Sequence, residues 1–326
     1  MKRVFVLGAP DPEMVEIEAV LREHGENFVY ALATDGKRVH PGNAYKMALP
    51  GRLDVDEVVF VECGFADGHP CDWLADVKLA VVDHHRPGDH GYGRGPADYM
   101  SASSLGQVLN LLGIPHNPTC SVCGSEDIRF AGVDSGGWCP YCNGSEDFTV
   151  LGPTPQQRII AAADHCLAAA YRGQCPGVDP DALMKWRVET RAAFQKRSTK
   201  DILADVERAR EILRSKLSWS CYKCGATGSG RPPGMGYGCC GYDDFVATEW
   251  VDLRGQQHVP ELPEAAVREG IPFVSSVKDR DGREKIVLQA ASAWLVKLFL
   301  RGLMIPGLTD LYGDPARGFA GGYEKK

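Results

Sequence analysis

Short apolar runs and helix-like segments alternate along the first part of the chain. Apolar runs of strand length occupy residues 2–9, 27–34, 57–61 and 78–82. The segment after the first run predicts a helix, because its apolar residues recur at helical spacing. These residues are Met14, Val15, Ile17, Val20 and Leu21. Buried strands that alternate with helices predict an α/β domain.

The fourth of these strands is followed by an Asp and two His. Residues 78–82 run directly into Asp83, His84 and His85, and Pro87 prevents the strand from continuing. Carboxylate and imidazole are the ligands that Mn, Zn or Mg sites use, and ligand sites of α/β sheets lie at the carboxyl ends of strands. We interpret the three residues as a metal site. The alternative is that Asp83 caps a turn and both His are surface or core residues.

Two other strands of this domain also lead into acids. Asp11 and Glu13 follow the first strand, and Glu62 follows the third. For Asp11 and Glu13 the alternative is helix N-capping and compensation of the helix dipole.

A further acid lies within a helix predicted from Pro155 to Tyr171. Asp164 interrupts the apolar, Ala-rich face of that helix. A buried carboxylate needs a partner, and a metal ion is one that fits. Alternatively, Asp164 pairs with Arg158 or Arg172 on the surface.

Cysteines interrupt the α/β pattern before that helix. The twelve Cys of the chain accompany no export signal, which favours metal binding over disulfides. Two C-x2-C pairs predict a four-thiolate structural zinc ribbon, formed by an insert at residues 117–147. Its ligands are Cys120, Cys123, Cys139 and Cys142. A closed four-Cys site has no open position, so we expect it to stabilise the insert rather than to catalyse.

A second Cys-rich segment at residues 219–244 is less regular. It could bind a second Zn²⁺, although adjacent Cys depart from the usual knuckle pattern. Its candidate ligands are Cys221, Cys224, Cys239 and Cys240. The remaining cysteines have no ligand spacing and are interpreted as small buried apolar residues. These are Cys63, Cys71, Cys166 and Cys175.

The second half of the chain begins with a helical connector at residues 177–218 and continues as a domain at residues 245–326. Strand-like runs at 273–277 and 285–288 and a helix around 293–301 indicate mixed α/β structure. The chain ends in a Gly-rich segment that includes an Arg, which predicts an anion-binding loop; a flexible tail is the alternative. The candidate anion-binding residues are Arg317, Gly318, Gly321 and Gly322.

Composition narrows the classes of partner. A chain of 326 residues with 44% hydrophobic content is long enough for two globular domains. No apolar segment approaches the length of a membrane span or of a signal sequence, so we expect a cytoplasmic protein without a membrane partner. The net charge of −7 favours small anionic substrates or short strands over long nucleic-acid duplexes.

The ordered acids and the Asp-His-His tripeptide together resemble the motifs of the DHH phosphoesterase superfamily. That family includes manganese pyrophosphatases, single-strand exonucleases, and hydrolases of oligoribonucleotides and cyclic dinucleotides. The resemblance covers residues 1–176 without the Cys insert. The matching positions are Asp11 and Glu13, Glu62, Asp83, His84 and His85, and Asp164. Leu7 stands where the first family motif has a His, and Glu replaces Asp at positions 13 and 62.

More faintly, the last seventy or so residues are similar to the family's DHH-associated C-terminal domain. Residues 317–323 are similar to its Gly-Gly motif but lack its usual His. The resemblance therefore implies a doubly wound parallel sheet that carries the metals and a second, smaller α/β domain that binds substrate, with Arg317 gripping a remote phosphate.

The resemblance also implies roles for the individual residues. Glu62 would bridge two Mn²⁺ or Mg²⁺ ions and Asp11 would bind one of them. His85 would contact the scissile phosphate or protonate the leaving group, and Asp83 would orient a His. The second ion would be held by Glu13, His84 and Asp164.

Three functions stay open from the sequence. The first is a metal-dependent phosphoesterase acting on a phosphodiester of a nucleotide or short single-stranded oligonucleotide. The second is a degenerate relative that binds a nucleotide or nucleic acid, which the absence of the His at Leu7 favours. The third is a pyrophosphatase-type hydrolase of a small phosphate. The oligomeric state also stays open, with a homodimer as one option.

Overall fold

The computed structural model describes most of the chain. It covers residues 2–48, 51–65, 72–130, 137–142, 149–221, 227–229, 245–247, 249–278 and 282–325. Cys71, Cys224, Cys239 and Cys240 lie outside the described residues. The chain divides into two units, one formed by residues 1–166 with 173–183 and the other by residues 167–172 with 184–326.

A four-stranded parallel sheet forms the centre of the first unit. Its strands are β1 (Arg3–Leu7), β2 (Asn27–Tyr30), β3 (Glu57–Val61) and β4 (Lys78–Val82), in the spatial order β2-β1-β3-β4. Every neighbouring pair is parallel. The predicted α/β class is therefore confirmed for this unit.

The two central strands, β1 and β3, are buried on both faces, whereas Val81 on the edge strand β4 is 58% exposed. Val4 and Phe60 pack in a cluster on one face, and Phe5 and Leu7, at alternating positions, are fully buried. Because successive residues of β1 and β3 point to opposite faces and are all covered, these two strands appear in the sequence as continuous apolar runs rather than as alternating patterns.

The helix after the first strand, α1 (Pro12–Glu23), begins at the N-cap Asp11 with Pro12 in its first turn. It buries Met14 and Ile17, as predicted, but Val15 is 62% exposed. Val15 is about 200° around the helix from Ile17, so the two side chains face opposite directions. The expectation that Val15 belongs to the apolar face was wrong.

The second strand ends earlier than expected. It stops at Tyr30, and Leu32 then forms antiparallel bridges with Arg38 and Ala48. The segment after the second strand therefore folds back beside the sheet.

Two helices follow the last strand of the sheet, and a third follows the Cys insert. They are α2 (Tyr99–Ala102), α3 (Ser104–Leu111) and α4 (Pro155–Tyr171). Ser103 ends α2 and caps α3, because its side chain accepts a hydrogen bond from Gly106 N. Inside α4, Cys166 departs from helical geometry, with φ −152° and ψ 51°.

The described residues of the Cys insert and its immediate flank form two small antiparallel pairs. One joins β5 (Thr119–Cys120) to β8 (Val150–Leu151), and the other joins β6 (Arg129–Phe130) to β7 (Gly137–Trp138). Such short strands bury little apolar surface by themselves.

The predicted connector contains two helices, α5 (Pro180–Gln195) and α6 (Thr199–Lys216). In the second unit, a three-stranded sheet comprises β9 (Ser218–Cys221), β10 (Thr227–Ser229) and β11 (Phe245–Ala247).

A five-stranded sheet forms the larger part of the second unit, in the order β12-β13-β14-β16-β15. Its strands are β12 (Val251–Asp252), β13 (Phe273–Lys278), β14 (Glu284–Gln289), β15 (Leu308–Asp314) and β16 (Phe319–Glu324). The helices α7 (Leu262–Glu269) and α8 (Ala293–Leu300) complete the unit. The predicted strands at 273–277 and 285–288 and the helix around 293–301 agree with β13, β14 and α8.

Among the described residues, no helix combines the length and the apolar character needed to cross a membrane.

The carboxyl ends of the strands are tied together by backbone hydrogen bonds. Gly8 N donates to Val61 O (3.0 Å), and Glu62 N donates to Val82 O (3.0 Å). A Cβ on Gly8 would lie 2.5 Å from Glu62 O, so this position requires a glycine. The residues that follow β1, β3 and β4 are thereby brought to one edge of the sheet.

We expect Gly8→Ala to destabilise the first unit, because the backbone atoms of Glu62 cannot move away as a side chain could. Overpacking of this kind costs about 1–3 kcal/mol. Urea denaturation should show the loss, whereas Gly95→Ala, where a Cβ would meet no atom within 4 Å, should change stability little. Equal stabilities of the two variants would contradict this account of the strand ends.

Candidate metal centre

Four side chains meet at the carboxyl edge of the parallel sheet. One ligand atom from each of Glu62, His84, His85 and Asp164 lies within 4.8 Å of the other three. Glu62 directly follows β3, the two His follow β4, and Asp164 is supplied by α4. This mixed carboxylate and imidazole group could hold a metal ion.

His84 is at the centre of this group. Its Nε2 atom lies 2.9 Å from Asp164 Oδ2 and 3.8 Å from Glu62 Oε1. His84 and Glu62 are both buried. The alternative in which Asp164 pairs with Arg158 or Arg172 is wrong, because neither Arg forms an ion pair with any described residue.

The backbone around the site is unusual at two points. Glu62 has φ 50°, in the left-handed region that non-glycine residues rarely occupy. Gly91 lies so close to His84 and Ala102 that it has no room for a side chain. A Cβ there would lie 2.6 Å from His84 Cβ and would collide with Ala102 O. Left-handed geometry at a non-glycine residue costs about 1–3 kcal/mol, and such strain clusters at functional sites.

Asp83 lies beside the group rather than in it. Its Oδ1 accepts hydrogen bonds from His84 N (2.7 Å), His85 N (3.0 Å) and His85 Nδ1 (2.9 Å). Its Oδ2 accepts one from the Tyr45 hydroxyl (2.7 Å). Burial opposes ionisation of Asp83, but the hydrogen bond and charge of His85, with the Tyr45 hydroxyl, outweigh it and lower its pKa to about 2. Asp83 is therefore a carboxylate that orients His85.

Asp11 and Glu13 are not members of the four-residue group. Asp11 Oδ1 accepts from Met14 N (2.7 Å), so the capping interpretation of this residue is confirmed. Glu13 is buried, and its Oε1 accepts from Leu105 N (3.0 Å). Both acids are close enough to Asp164 to repel its charge.

The acids of the site resist ionisation. Burial, with repulsion from Asp164 and Asp11, raises the pKa of Glu62 to about 8 although His85 opposes the shift. Burial and Asp164 raise the pKa of Asp11 to about 6, and burial with Asp164 and Glu62 raises that of Glu13 well above its ordinary value. A cation at this position would remove the repulsion.

Two buried carboxylate oxygens also indicate a place for a cation. Within the described part of the chain, no hydrogen-bond donor reaches the buried Glu13 Oε2 or Glu62 Oε1. A buried carboxylate oxygen without a partner is costly, and a bound metal ion would satisfy it. The residues present therefore fit a divalent cation.

Two residues near the site were missed in the sequence analysis. His165 is fully buried, and its Nδ1 lies 3.4 Å from His84 Nδ1. Tyr45 bonds to Asp83 across 38 positions of sequence. His165 directly follows Asp164, so the sequence did contain a local Asp-His pair that indicated a second ligand-type residue. No local pattern indicated Tyr45, because it is distant in sequence from Asp83.

The first Cys cluster is assembled as predicted. One sulfur from each of the four Cys lies within 4.8 Å of the others, so the cluster could hold a metal ion. Cys123 Sγ is 3.7 Å from Cys139 Sγ, and Cys123 N donates to Cys120 Sγ (3.4 Å). Burial opposes ionisation of Cys120, but N–H groups of Cys123 and Val122 lower the pKa of its thiol to about 7. The members are Cys120, Cys123, Cys139 and Cys142.

The second Cys cluster stays a prediction. Only the backbone of Cys221, at the end of β9, is described, and its three proposed partners lie outside the described residues.

Only half of the predicted C-terminal loop is a loop. Arg317 and Gly318 lie in the turn between β15 and β16, whereas Gly321 and Gly322 are inside β16. A Cβ on Gly321 would collide with the Tyr312 ring. The expectation of a loop is corrected here, because these glycines make room for side chains of the neighbouring strand.

Comparison with known proteins does not assign the chain to a family. No family model matches it, and no curated protein matches it. The resemblance to DHH phosphoesterases therefore stays a prediction from the motifs.

We expect one tightly bound metal ion per chain at the Cys cluster. Replacing Cys120 and Cys123 with Ser should abolish this binding, because two of four ligands are lost. Asp83→Asn and His84→Ala should leave it unchanged. Elemental analysis of the purified variants measures the outcome, and an ion retained without the two Cys would contradict the assignment.

Without an added divalent ion, stability should fall as pH rises. The Glu62 carboxyl has a pKa of about 8 when folded and 4.5 as its ordinary value, so between these values the folded state binds more protons than the unfolded state. The free energy of unfolding then decreases with pH. Urea denaturation across this range should show the slope.

Glu62→Gln should flatten that slope, because the substituted side chain does not titrate, and added Mn²⁺ should offset it. Glu23→Gln, a substitution at an exposed position of α1, is the matched control. A slope unchanged in Glu62→Gln would contradict the assignment of the shift to this carboxyl.

Proposed function

We propose that the chain is a metal-dependent phosphoesterase that hydrolyses a phosphodiester of a nucleotide or a short single-stranded oligonucleotide. The observation that carries this proposal is the convergence of Glu62, His84, His85 and Asp164 within 4.8 Å at one edge of the sheet. Carboxylates and imidazoles collected in this way are the donor set of hydrolytic metal sites.

The strand order supports the proposal. In the order β2-β1-β3-β4 the direction of winding reverses between β1 and β3, which is the expectation for a doubly wound sheet. Ligands of such sheets bind outside the carboxyl ends of the strands at this reversal. Asp11 lies after β1 and Glu62 directly follows β3, the two strands between which the winding reverses.

The donor set fits Mn²⁺ or Mg²⁺. Glu62, His84 and Asp164 would hold the ion, and the oxygen Glu62 Oε1, which no described donor reaches, would gain a partner. A bound divalent ion supplies a water of lowered pKa and neutralises charge on the phosphate. Glu13 would add a second acceptor at the same edge.

His85 is the residue best suited to transfer a proton. Its Nδ1 is directed at the carboxylate of Asp83, so the proton that it can give to a leaving group resides on Nε2. The charge of Asp83 stabilises the imidazolium form, and the exposed position of His85 makes it accessible to substrate. We therefore assign general acid catalysis to His85 and a positioning role to Asp83.

A second candidate function is binding of a nucleotide or nucleic acid without cleavage. Leu7 favours it, because this residue is fully buried at the end of β1 and offers no ligand where the resembling family has a His. Asp11 also uses one oxygen to cap α1. A site with one ion rather than two follows from this donor set.

The Cys cluster is proposed to hold Zn²⁺. With Zn–S bonds of about 2.3 Å, the sulfur atoms of a regular tetrahedron lie about 3.8 Å apart. The separation of Cys123 and Cys139 Sγ is 3.7 Å. The ion would cross-link the two strand pairs of the insert, which supports a structural role.

Hydrolysis assays with added Mn²⁺ test the proposed function. The substrates are pyrophosphate, a cyclic dinucleotide, a linear dinucleotide and a short single-stranded oligonucleotide. We expect turnover of at least one phosphodiester, and His85→Gln should lower kcat by about 10²–10⁴, the contribution of a positioned general acid. His90→Gln, at an exposed position in the same loop, is the matched control, and His84→Ala should remove activity.

Each substrate decides between the alternatives. Cleavage of pyrophosphate alone would replace the phosphodiesterase proposal with a small-phosphate hydrolase. No turnover of any substrate, together with measurable nucleotide binding that depends on His84, would establish the binding function instead. Circular dichroism of each variant verifies that lost activity does not reflect unfolding.

A further inference from the structure

A cavity lies in the first unit, bordered by the Cys insert and the first turn of α4. Its volume is about 750 Å³, within the range of roughly 300–1,000 Å³ that ligand sites occupy. None of its lining residues belongs to the candidate metal centre or to the Cys cluster. The function proposed above does not use this cavity.

Arg158 provides the positive charge of the cavity. Its Nε is buried and has no hydrogen-bond acceptor within the described ranges, and no described carboxylate forms an ion pair with it. A buried guanidinium N–H without an acceptor is costly, and an anionic ligand would provide one. Arg158 is also near the amino end of α4, whose dipole favours a negative charge there.

Gly177 makes room for this guanidinium. It has φ 73°, and a Cβ at this position would collide with Arg158 Nη1. The position therefore needs a glycine for two reasons, its backbone conformation and the close approach of Arg158. The arrangement is typical of a preformed anion-binding site rather than of an ordinary surface Arg.

Another part of the cavity lining is apolar and aromatic. Ile128 and Phe130, with β6 residue Arg129 between them, line the cavity, whereas Arg129 does not. Phe130 is paired with Gly137 on β7, where a Cβ would lie 2.8 Å from its ring. The missing side chain lets the ring lie against the strand, and a flat ring can stack on its other side.

The two acids that line the cavity do not neutralise the positive charge of Arg158. Asp179 Oδ1 accepts from Asp181 N (2.8 Å) in the first turn of α5, so its charge is offset by that helix end. Glu126 is exposed. Both oxygen-rich groups can accept hydrogen bonds from hydroxyl or amino groups of a ligand.

We propose that this cavity binds a nucleoside monophosphate, with the phosphate on Arg158, the base on Phe130 and the sugar hydroxyls donating to the acids at its edge. The site is independent of the hydrolysis proposed above, since it shares no residue with the metal centre. It gives the Cys insert a second role, because the insert supplies the aromatic wall.

Calorimetric titration of the full-length protein with adenosine monophosphate, without added divalent ions, tests this site. We expect saturable binding that weakens about tenfold or more in Arg158→Gln, the usual effect of losing a charge-assisted contact. Arg129→Gln removes the same charge from the other face of β6 and should bind within about twofold of the unsubstituted chain, since one exposed charge contributes little.

Gly177→Ala provides a second variant that retains the charge. It should weaken binding by displacing the guanidinium, whereas Gly173→Ala, which has a similar φ of 69° but no contact with Arg158, should not. Urea midpoints of all four variants separate loss of binding from loss of stability.

Four results would overturn the proposal. They are no saturable binding, binding unchanged in Arg158→Gln, equal losses in Arg158→Gln and Arg129→Gln, and binding abolished by His84→Ala, which would assign the nucleotide to the metal centre. Titrations with inorganic phosphate and with adenosine test the ligand class. Phosphate that binds as tightly as the nucleotide would contradict a role for Phe130.

Discussion

Repulsion between buried carboxylates is the constraint on which the first unit depends. Glu13 and Glu62 are buried beside Asp164, each has an oxygen that no described donor reaches, and each has a raised pKa. A fold that gathers like charges in this way is stable only if protons or a cation neutralise them. The bonds that tie the strand ends together, the left-handed backbone of Glu62 and the glycine contact at Gly8 all maintain this arrangement against the repulsion.

Within that edge, the histidines have different surroundings. His84 is fully buried between Asp164 and Glu62, which suits a residue whose ring nitrogen faces an ion. His85 is exposed and oriented by Asp83, which suits a residue that meets a substrate. Two adjacent residues of the same type thus differ in burial and in hydrogen-bond partners because of the direction in which the chain turns after β4.

The Cys insert contributes both to the four-thiol cluster and to the lining of the cavity at Arg158. Its two strand pairs are too short to be stable alone, and four thiols are placed where one ion would join them. The β6–β7 pair also contributes Phe130 to the lining of the cavity at Arg158. A structural metal ion would therefore organise a ligand site that it does not itself contact.

The sequence by itself determined the elements and the ligand types. Continuous apolar runs predicted β1, β3 and β4, and the Cys spacing predicted the four-thiol cluster, because strand burial and C-x2-C knuckles are local properties. Tertiary structure alone decided which acids converge. Asp11 caps a helix, whereas Asp164, His165 and Tyr45 reach the tripeptide from distant parts of the chain. It also placed Gly321 within a strand. Such outcomes depend on long-range packing and strand register, which no local pattern encodes.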